Sequence, residues 1–289
     1  MIDPWWAAAI VAASVAIGDQ VNRRLVGWLP DDPPRPGRKL HARPIPLAGV
    51  LLVPTIATWC GVFEAWLLLA AVVVAAAIGF DDDRRKEHAG PLDDGGLDWR
   101  IKAAGLFVAA GLVATATVDP LQQPGRWLLV LGLTFVLTNA VNFLDNTDGV
   151  ACGLSGAMLL LLGFAALPEG DTRAVALAAG FSACGFLPFN WPKPRLFLGD
   201  GGAYALGLCT SYAIAQVLFV DAKWLLAVAV PLVDFSQVVI ARLVIGVPPW
   251  VGDRRHLTHI TQNMGLHKTA VAPLFVALAA GVGAAALAI

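Results

Sequence analysis

Apolar residues in this chain come in long blocks separated by short charged or Gly/Pro-rich stretches, with neither the period-two alternation nor the regular turns of an outer-membrane barrel. Reading the blocks as windows predicts ten helical spans, at residues 5–21, 44–62, 65–80, 102–118, 127–144, 152–168, 173–189, 199–219, 223–242 and 269–288. Several lie near the ~17-residue minimum for a helix that crosses a bilayer. The pattern predicts an all-α polytopic membrane protein with one integral-membrane domain over residues 1–289. No internal repeat or second soluble domain is evident. The first block, Trp5 to Gly18, has no basic segment before it and no small-residue cleavage pattern after it, so it reads as a retained span rather than a signal peptide.

Composition agrees: 57% hydrophobic and 14% charged residues, with a mean hydropathy of +0.69, exclude an ordinary soluble domain of 289 residues. The net charge of −1 says nothing about partners, because in a membrane chain the placement of charge across the bilayer matters. The connections alternate sharply. The five loops on one side carry 6, 5, 0, 2 and 4 basic residues, 17 of the 20, whereas the other side has only Arg126, Arg173 and Lys223. The positive-inside rule then places the rich loops in the cytoplasm and both termini outside. All five histidines lie in the same loops, so the working face is expected to be cytoplasmic. Cys60, Cys152, Cys184 and Cys209 have no metal-like spacing and read as reduced, space-filling thiols.

Chemistry is suggested by acids at the ends of apolar blocks, where charge is costly. Asp81, Asp82 and Asp83 follow the block ending at Phe80, and Asp145, Asp148 and Asp200 recur at other block ends. Clustered hard oxygen ligands suit a divalent cation holding phosphate groups. The block before Asp81 spans about 24 Å as a helix, less than the ~30 Å hydrocarbon thickness, which puts these acids near headgroup depth. A charged collar neutralised by Arg84, Arg85 and Lys86 is the plainer explanation. Asn139, Asn142 and Asp145 recur every three residues and share a helix face, though Asn and Asp also favour capping turns. Gly199-Asp200-Gly201-Gly202 is a turn that lets backbone approach a ligand, or simply a capped turn. Asp253-Arg254-Arg255-His256 with His259 mixes cations and imidazoles in a way that suits a diphosphate, or an ordinary solvated loop. The early basic loop with Arg38, Lys39 and His41 is stiffened by proline. Asp234, inside the ninth span, is expected to have a partner within the bundle.

Taken in order, these pieces resemble the polyprenyl-phosphate N-acetylhexosamine-1-phosphate transferase family, which contains the initiating transferases for O-antigen, teichoic acid and enterobacterial common antigen and the peptidoglycan lipid I synthase. The matching stretches are Arg38-Lys39-Leu40-His41 with Pro44-Ile45-Pro46, Ile78-Gly79 with Asp82-Asp83, Lys102, Asn139 through Gly149, Phe197 through Asp200, Pro231 through Asp234, and Asp253 through His259. The resemblance implies ten helices, an inner-membrane location in bacteria with the site facing the cytoplasm, and Mg²⁺, with Mn²⁺ as a substitute. It implies Asp82, Asp83, Asp200 and His256 as catalytic residues and Asp200 and Asn142 as metal ligands. Substrate contacts are implied for Arg38, Lys39, His41, Lys102, Asn139, Asp145, Asp148, Asn190, Arg254, Arg255 and His259. The implied reaction is attack of undecaprenyl phosphate on the β-phosphorus of a UDP-sugar, giving a polyprenyl diphosphate sugar and UMP. The lipid bilayer is the implied environment, a homodimer the implied assembly, and no nucleic acid is involved.

Four positions depart from the family's pattern. Its His-x-His-His is His256-Leu257-Thr258-His259 here, its Asp-Gly-x-Asp-Gly is Asp145-Asn146-Thr147-Asp148-Gly149, its Gly-Asp-x-Gly-Ser ends in Ala203, and its Gly-Gly is Ala48-Gly49. These bear on sugar or pyrophosphate contacts rather than on the metal ligands. Two other classes compete. A CDP-alcohol phosphotransferase needs Ala-Arg soon after Asp-Gly, whereas Asp148-Gly149 runs into Val-Ala-Cys-Gly. A transporter of an ion or nucleotide sugar places its polar groups near the midplane, not at helix ends.

Overall fold

The computed structural model describes residues 6–21, 23, 27–34, 44–88 and 95–289. Each of the ten predicted windows falls on a helical segment. They are α1 (Trp6–Val21), a 3-10 turn (Gly49–Leu52) running into α2 (Val53–Val62), α3 (Trp66–Glu87), α4 (Trp99–Thr117), α5 (Pro124–Leu144), α6 (Val150–Leu161) extended by a π turn (Leu162–Ala166), α7 (Asp171–Asn190), α8 (Gly199–Leu218), a 3-10 stretch (Ala222–Val228) running into α9 (Ala229–Val244), and α11 (Lys268–Ala284). Among the described residues, the short α10 (Leu257–Asn263), too polar to show as an apolar block, is the one α-helix the windows miss. Local chemistry sets several starts: Asp98 caps α4 by accepting the Arg100 amide at 2.7 Å, and Pro124 opens α5 where no intrahelical donor is needed.

Among the described residues, Trp99–Thr117, Pro124–Leu144, Asp171–Asn190, Ala222–Val244 and Lys268–Leu287 are each long and apolar enough to cross a membrane. At 1.5 Å per residue, the shortest of these, 19 residues, covers about 28 Å. The protein is an all-α, multi-pass membrane protein.

One helix organises the rest. Every residue of α8 except Asp200 and Gln216 is buried, and α8 packs against α3, α5, α4, α6 and α7. Its composition explains the closeness: Gly, Ala, Ser, Thr and Cys dominate, so neighbouring backbones can approach it. Where α3 crosses the start of α8, a Cβ on Gly79 would stand 2.4 Å from the Gly201 nitrogen. A Cβ on Gly49 would stand 2.0 Å from the Leu198 carbonyl oxygen.

A small β structure stitches the Pro44–Pro46 stretch to the same place. Strands β1 (Asp31–Asp32) and β2 (Ile45–Pro46) pair antiparallel, and Ala48 and Gly49 donate backbone hydrogen bonds to Phe197 and Leu198 at 2.8 and 3.0 Å. The α8 start is thus enclosed on two sides by backbone.

The structure differs from expectation at the end of the third span. The helix does not stop at Phe80 but runs to Glu87, so all three acids and the three cations after them are helical. Successive residues then point about 100° apart. Asp81 is turned outward and pairs with Arg85 at 2.9 Å, whereas Asp82 and Asp83 are buried. Among the cysteines, Cys60, Cys152 and Cys209 are buried free thiols and Cys184 is an exposed one.

Candidate active site

Asp82 and Asp83 from the end of α3 meet Asp200 from the first turn of α8, and one carboxylate oxygen from each lies within 4.8 Å of the others. Asp83 accepts the Asp200 amide at 3.1 Å, a carboxylate on the positive end of α8. Gly199 makes this contact feasible: its φ of +68° is a left-handed conformation, and a Cβ there would lie 2.6 Å from Asp83 Oδ2. Asn142, on α5, donates its amide to Asp200 Oδ1 at 3.0 Å. Asp145, at the C-terminal end of α5, lies close enough to the start of α8 to feel the Gly199 amide and the charges of Asp200 and Asp83.

Three carboxylates this close repel one another by at least about 3 kcal/mol per charged pair at an effective dielectric of ~20, so cations must accompany them. Two are present. Lys86 lies 2.6 Å from Asp82 Oδ2 and 3.0 Å from Asp200 Oδ2, and Lys102 reaches Asp82 at 3.3 Å. The Leu97 amide adds a 2.7 Å hydrogen bond to Asp82 Oδ1. When ionised, Asp82, Asp83, Asp145 and Asp200 exceed these two ammoniums by the charge of one divalent cation. The donors suit magnesium, since they are hard oxygens carried on rigid helix ends.

The histidine loop forms a second cluster across the end of α5. His256 Nδ1 is 2.9 Å from Asp234 Oδ2, and Asp234 Oδ1 accepts the Leu257 amide at 2.7 Å. Asp234 therefore has a partner, but it comes from the histidine loop folding back onto α9 rather than from another helix of the bundle. Fixing Nδ1 in this way orients the imidazole and leaves Nε2 as its remaining polar atom. The His256 ring packs edge-on to Phe143 at 5.5 Å, directly beside Asn142 in the chain. Arg242, almost fully buried at the end of α9, anchors the base of the loop: it donates to Asp253 at 3.0 Å and to the Pro249 carbonyl, and stacks over Phe143. Burial opposes the charge on Asp253, but hydrogen bonds from Arg242, the Arg255 amide and the Arg255 guanidinium outweigh it and hold the carboxyl below its usual range. His259 is pushed down to about 4 by burial, helped by the charges of Arg254 and His256, and so is neutral at pH 7.

The remaining expected residues fall differently. Arg254 and Arg255 are exposed at the rim, and Arg255 pairs with Asp253 at 2.6 Å. Asp148 is half-buried and acts electrostatically on Asp145. Asn139 donates to the Phe135 carbonyl of its own helix at 2.7 Å, so its amide nitrogen serves the backbone. Asn190 is buried, accepting the Gly149 amide at 2.9 Å and donating to the Leu196 carbonyl at 3.1 Å, which fixes the turn beside Asp148 rather than offering an open amide. Arg38, Lys39 and His41 lie outside the described residues.

Lys86 and Arg242 are the contributors that residue-by-residue reading passes over. Lys86 was visible only as one of several neutralising cations, and the signal for it is its i, i+4 spacing from Asp82 once the helix is known to continue. Arg242 had no local signal, because its partner Asp253 comes from a loop.

Comparison with known proteins gives the family of the chain. The family described as Glycosyl transferase family 4 matches residues 65–218, more than half of the chain and the stretch holding Asp82, Asp83, Asn142, Asp145 and Asp200. A decaprenyl-phosphate N-acetylglucosaminephosphotransferase of Mycolicibacterium smegmatis is 30% identical over 298 residues, covering 81% of this chain and 69% of that protein. A phospho-N-acetylmuramoyl-pentapeptide-transferase of Chlorobium phaeobacteroides is 29% identical over 272 residues, covering 76% of this chain and 72% of that protein. A second decaprenyl-phosphate N-acetylglucosaminephosphotransferase, from Mycobacterium leprae, is 27% identical with 79% and 69% coverage. The chain belongs to glycosyl transferase family 4 and is an enzyme of its polyprenyl-phosphate hexosamine-1-phosphate transferase class.

Proposed function

We propose that this protein transfers an N-acetylhexosamine 1-phosphate from a UDP-sugar to undecaprenyl phosphate, releasing UMP, as the first membrane step of a bacterial cell-envelope polysaccharide. The observation that carries the reading is the meeting of Asp82, Asp83 and Asp200 within 4.8 Å at two helix ends, flanked by Lys86 and Lys102. Asp82, Asp83 and Asp200, with Asn142 beside them, would hold a magnesium ion. Bound there, it would neutralise phosphate oxygens and align the donor diphosphate. The helix-end location suits a reaction in which one substrate is dissolved in lipid and the other in water. The excess of basic residues in alternate loops supports a cytoplasmic site in the inner membrane, where nucleotide sugars are available.

In the reaction an oxygen of the acceptor phosphate bonds to the β-phosphorus and the bond from the β-phosphorus to the bridging oxygen breaks, so UMP leaves with that oxygen. A phosphate monoester has its second pKa near ~6 and is largely ionised at pH 7, so the acceptor needs little help from a base. The carboxylates then act mainly by positioning and by balancing charge. Lys86 and Lys102 are placed to follow the charge that moves onto the departing phosphate. His256, oriented by Asp234, offers Nε2 to a phosphate oxygen from the other side of α5.

Purified protein incubated with a UDP-sugar, undecaprenyl phosphate and Mg²⁺ is expected to release UMP only when all three are present. Release without the lipid, or none with a panel of UDP-N-acetylhexosamines, contradicts the reading.

A further inference from the structure

The turn that carries Asp145 and Asp148 is joined to α10 by a pair of side-chain hydrogen bonds. Thr258 Oγ1 donates to Asn146 Oδ1 at 2.6 Å, and Gln262 Nε2 donates to Thr147 Oγ1 at 3.3 Å. Thr258 and Gln262 are four residues apart on one face of α10, and they meet two consecutive residues of the turn. Asn146 can face only one way here. Its amide nitrogen donates to the Phe143 carbonyl at the end of α5, which leaves the amide oxygen to accept from Thr147 at 2.8 Å and from Thr258. Thr258 is wholly buried, and Thr261 donates back to its carbonyl at 2.9 Å.

We propose that Asn146 and Thr258 are a positioning pair that sets the distance between the carboxylate cluster and the histidine loop, and so shapes the subsite for the diphosphate of the sugar nucleotide. The inference rests on the transferase reading above. The turn places Asp145 against the amide of Gly199, beside Asp200, and α10 places His259 behind His256. A diphosphate held between the two clusters depends on both ends at once, and Asn146–Thr258 is a bond running directly between them. The two residues are also two of the four places where this chain departs from its family's pattern, which has Gly and His there. They touch each other, so the two departures fall on one contact, an amide–hydroxyl hydrogen bond.

The test is a double-variant cycle in the full-length protein, reading KM for the UDP-sugar, KM for the lipid and kcat by UMP release. Thr258→Val and Asn146→Ala are each expected to raise the donor KM about tenfold, the ratio produced by roughly 1.4 kcal/mol, while the lipid KM stays unchanged. The double variant is expected to be no worse than the poorer single one. Thr258→Ser keeps the hydroxyl and is expected to recover the donor KM, which excludes misfolding as the cause. Thr258→His alone is expected to impair the donor KM, and Asn146→Gly with Thr258→His to regain it. Multiplicative single effects, a loss in kcat alone, or Thr258→Ser as poor as Thr258→Val overturns the inference while leaving the transferase reading intact. A wild-type protein that releases no UMP overturns both.

Discussion

Lys86 and Asp200, 114 positions apart in the chain, meet at 3.0 Å. The same ammonium touches Asp82, so it bridges two of the carboxylates that would hold a divalent ion. Ion binding and the Lys86 bridge compete for the same oxygens. Lys86→Gln is therefore expected to tighten Mn²⁺ binding several-fold in an electron paramagnetic resonance titration while slowing turnover. Unchanged or weaker Mn²⁺ affinity speaks against the competition.

Asp200→Asn and Asp83→Asn remove charge from the cluster while leaving its shape. Each is expected to lower UMP release by roughly 100-fold or more, the scale seen when a preorganised charge at a reacting centre is lost. The variants should still elute as monodisperse protein from a sizing column in detergent. Rates within a few-fold of wild type would remove these residues from the chemistry.

Gly79→Ala tests the α3–α8 crossing. The added methyl would stand 2.4 Å from the Gly201 nitrogen and 2.6 Å from the Asp200 carbonyl carbon, both backbone atoms that cannot rotate away. Overpacking of this kind costs about 1–3 kcal/mol, so the thermal midpoint and activity should fall together. Gly111→Ala, where an added Cβ meets nothing within 4 Å, is the control expected to change neither.

His259 gives a pH dependence with a defined sign. Its folded value is pushed down to about 4 from 6.5, so between these values the unfolded chain holds a proton that the folded protein refuses. Its contribution to stability is complete above pH 6.5 and is lost as pH falls towards 4. The thermal midpoint should drop with acidification through that window, and His259→Asn should flatten the drop. An identical slope in the variant assigns the effect to other groups.

Apolar blocks alone located the ten helical segments, because most residues facing lipid or the bundle interior are apolar. The acids at helix ends were legible for a related reason: a carboxylate there is too costly to be incidental. The apolar pattern by itself did not say which acid faces inward; the family resemblance singled out Asp82 and Asp83, and these are the two that are buried. Asp81 and Asp82 look alike in the chain, and only the continuation of α3 to Glu87 turns one towards Arg85 and the other towards Lys86 and Lys102. Long-range pairs were equally invisible. Asp234 announced a need for a partner, but His256 comes from a loop 22 positions on, and Arg242–Asp253 and Asn146–Thr258 depend on how that loop folds back. The short α10 left no trace in the apolar pattern because most of its residues are polar, and its buried Thr258 is held by a hydrogen bond to Asn146.

The most direct test follows the phosphorus. Wild-type protein given undecaprenyl phosphate, Mg²⁺ and a UDP-N-acetylhexosamine labelled with ³²P at the β-position should move the label into the organic phase and leave unlabelled UMP in water. Asp200→Asn should move none. Label that stays in the aqueous phase as UDP would show transfer of the sugar without its phosphate and would contradict the account.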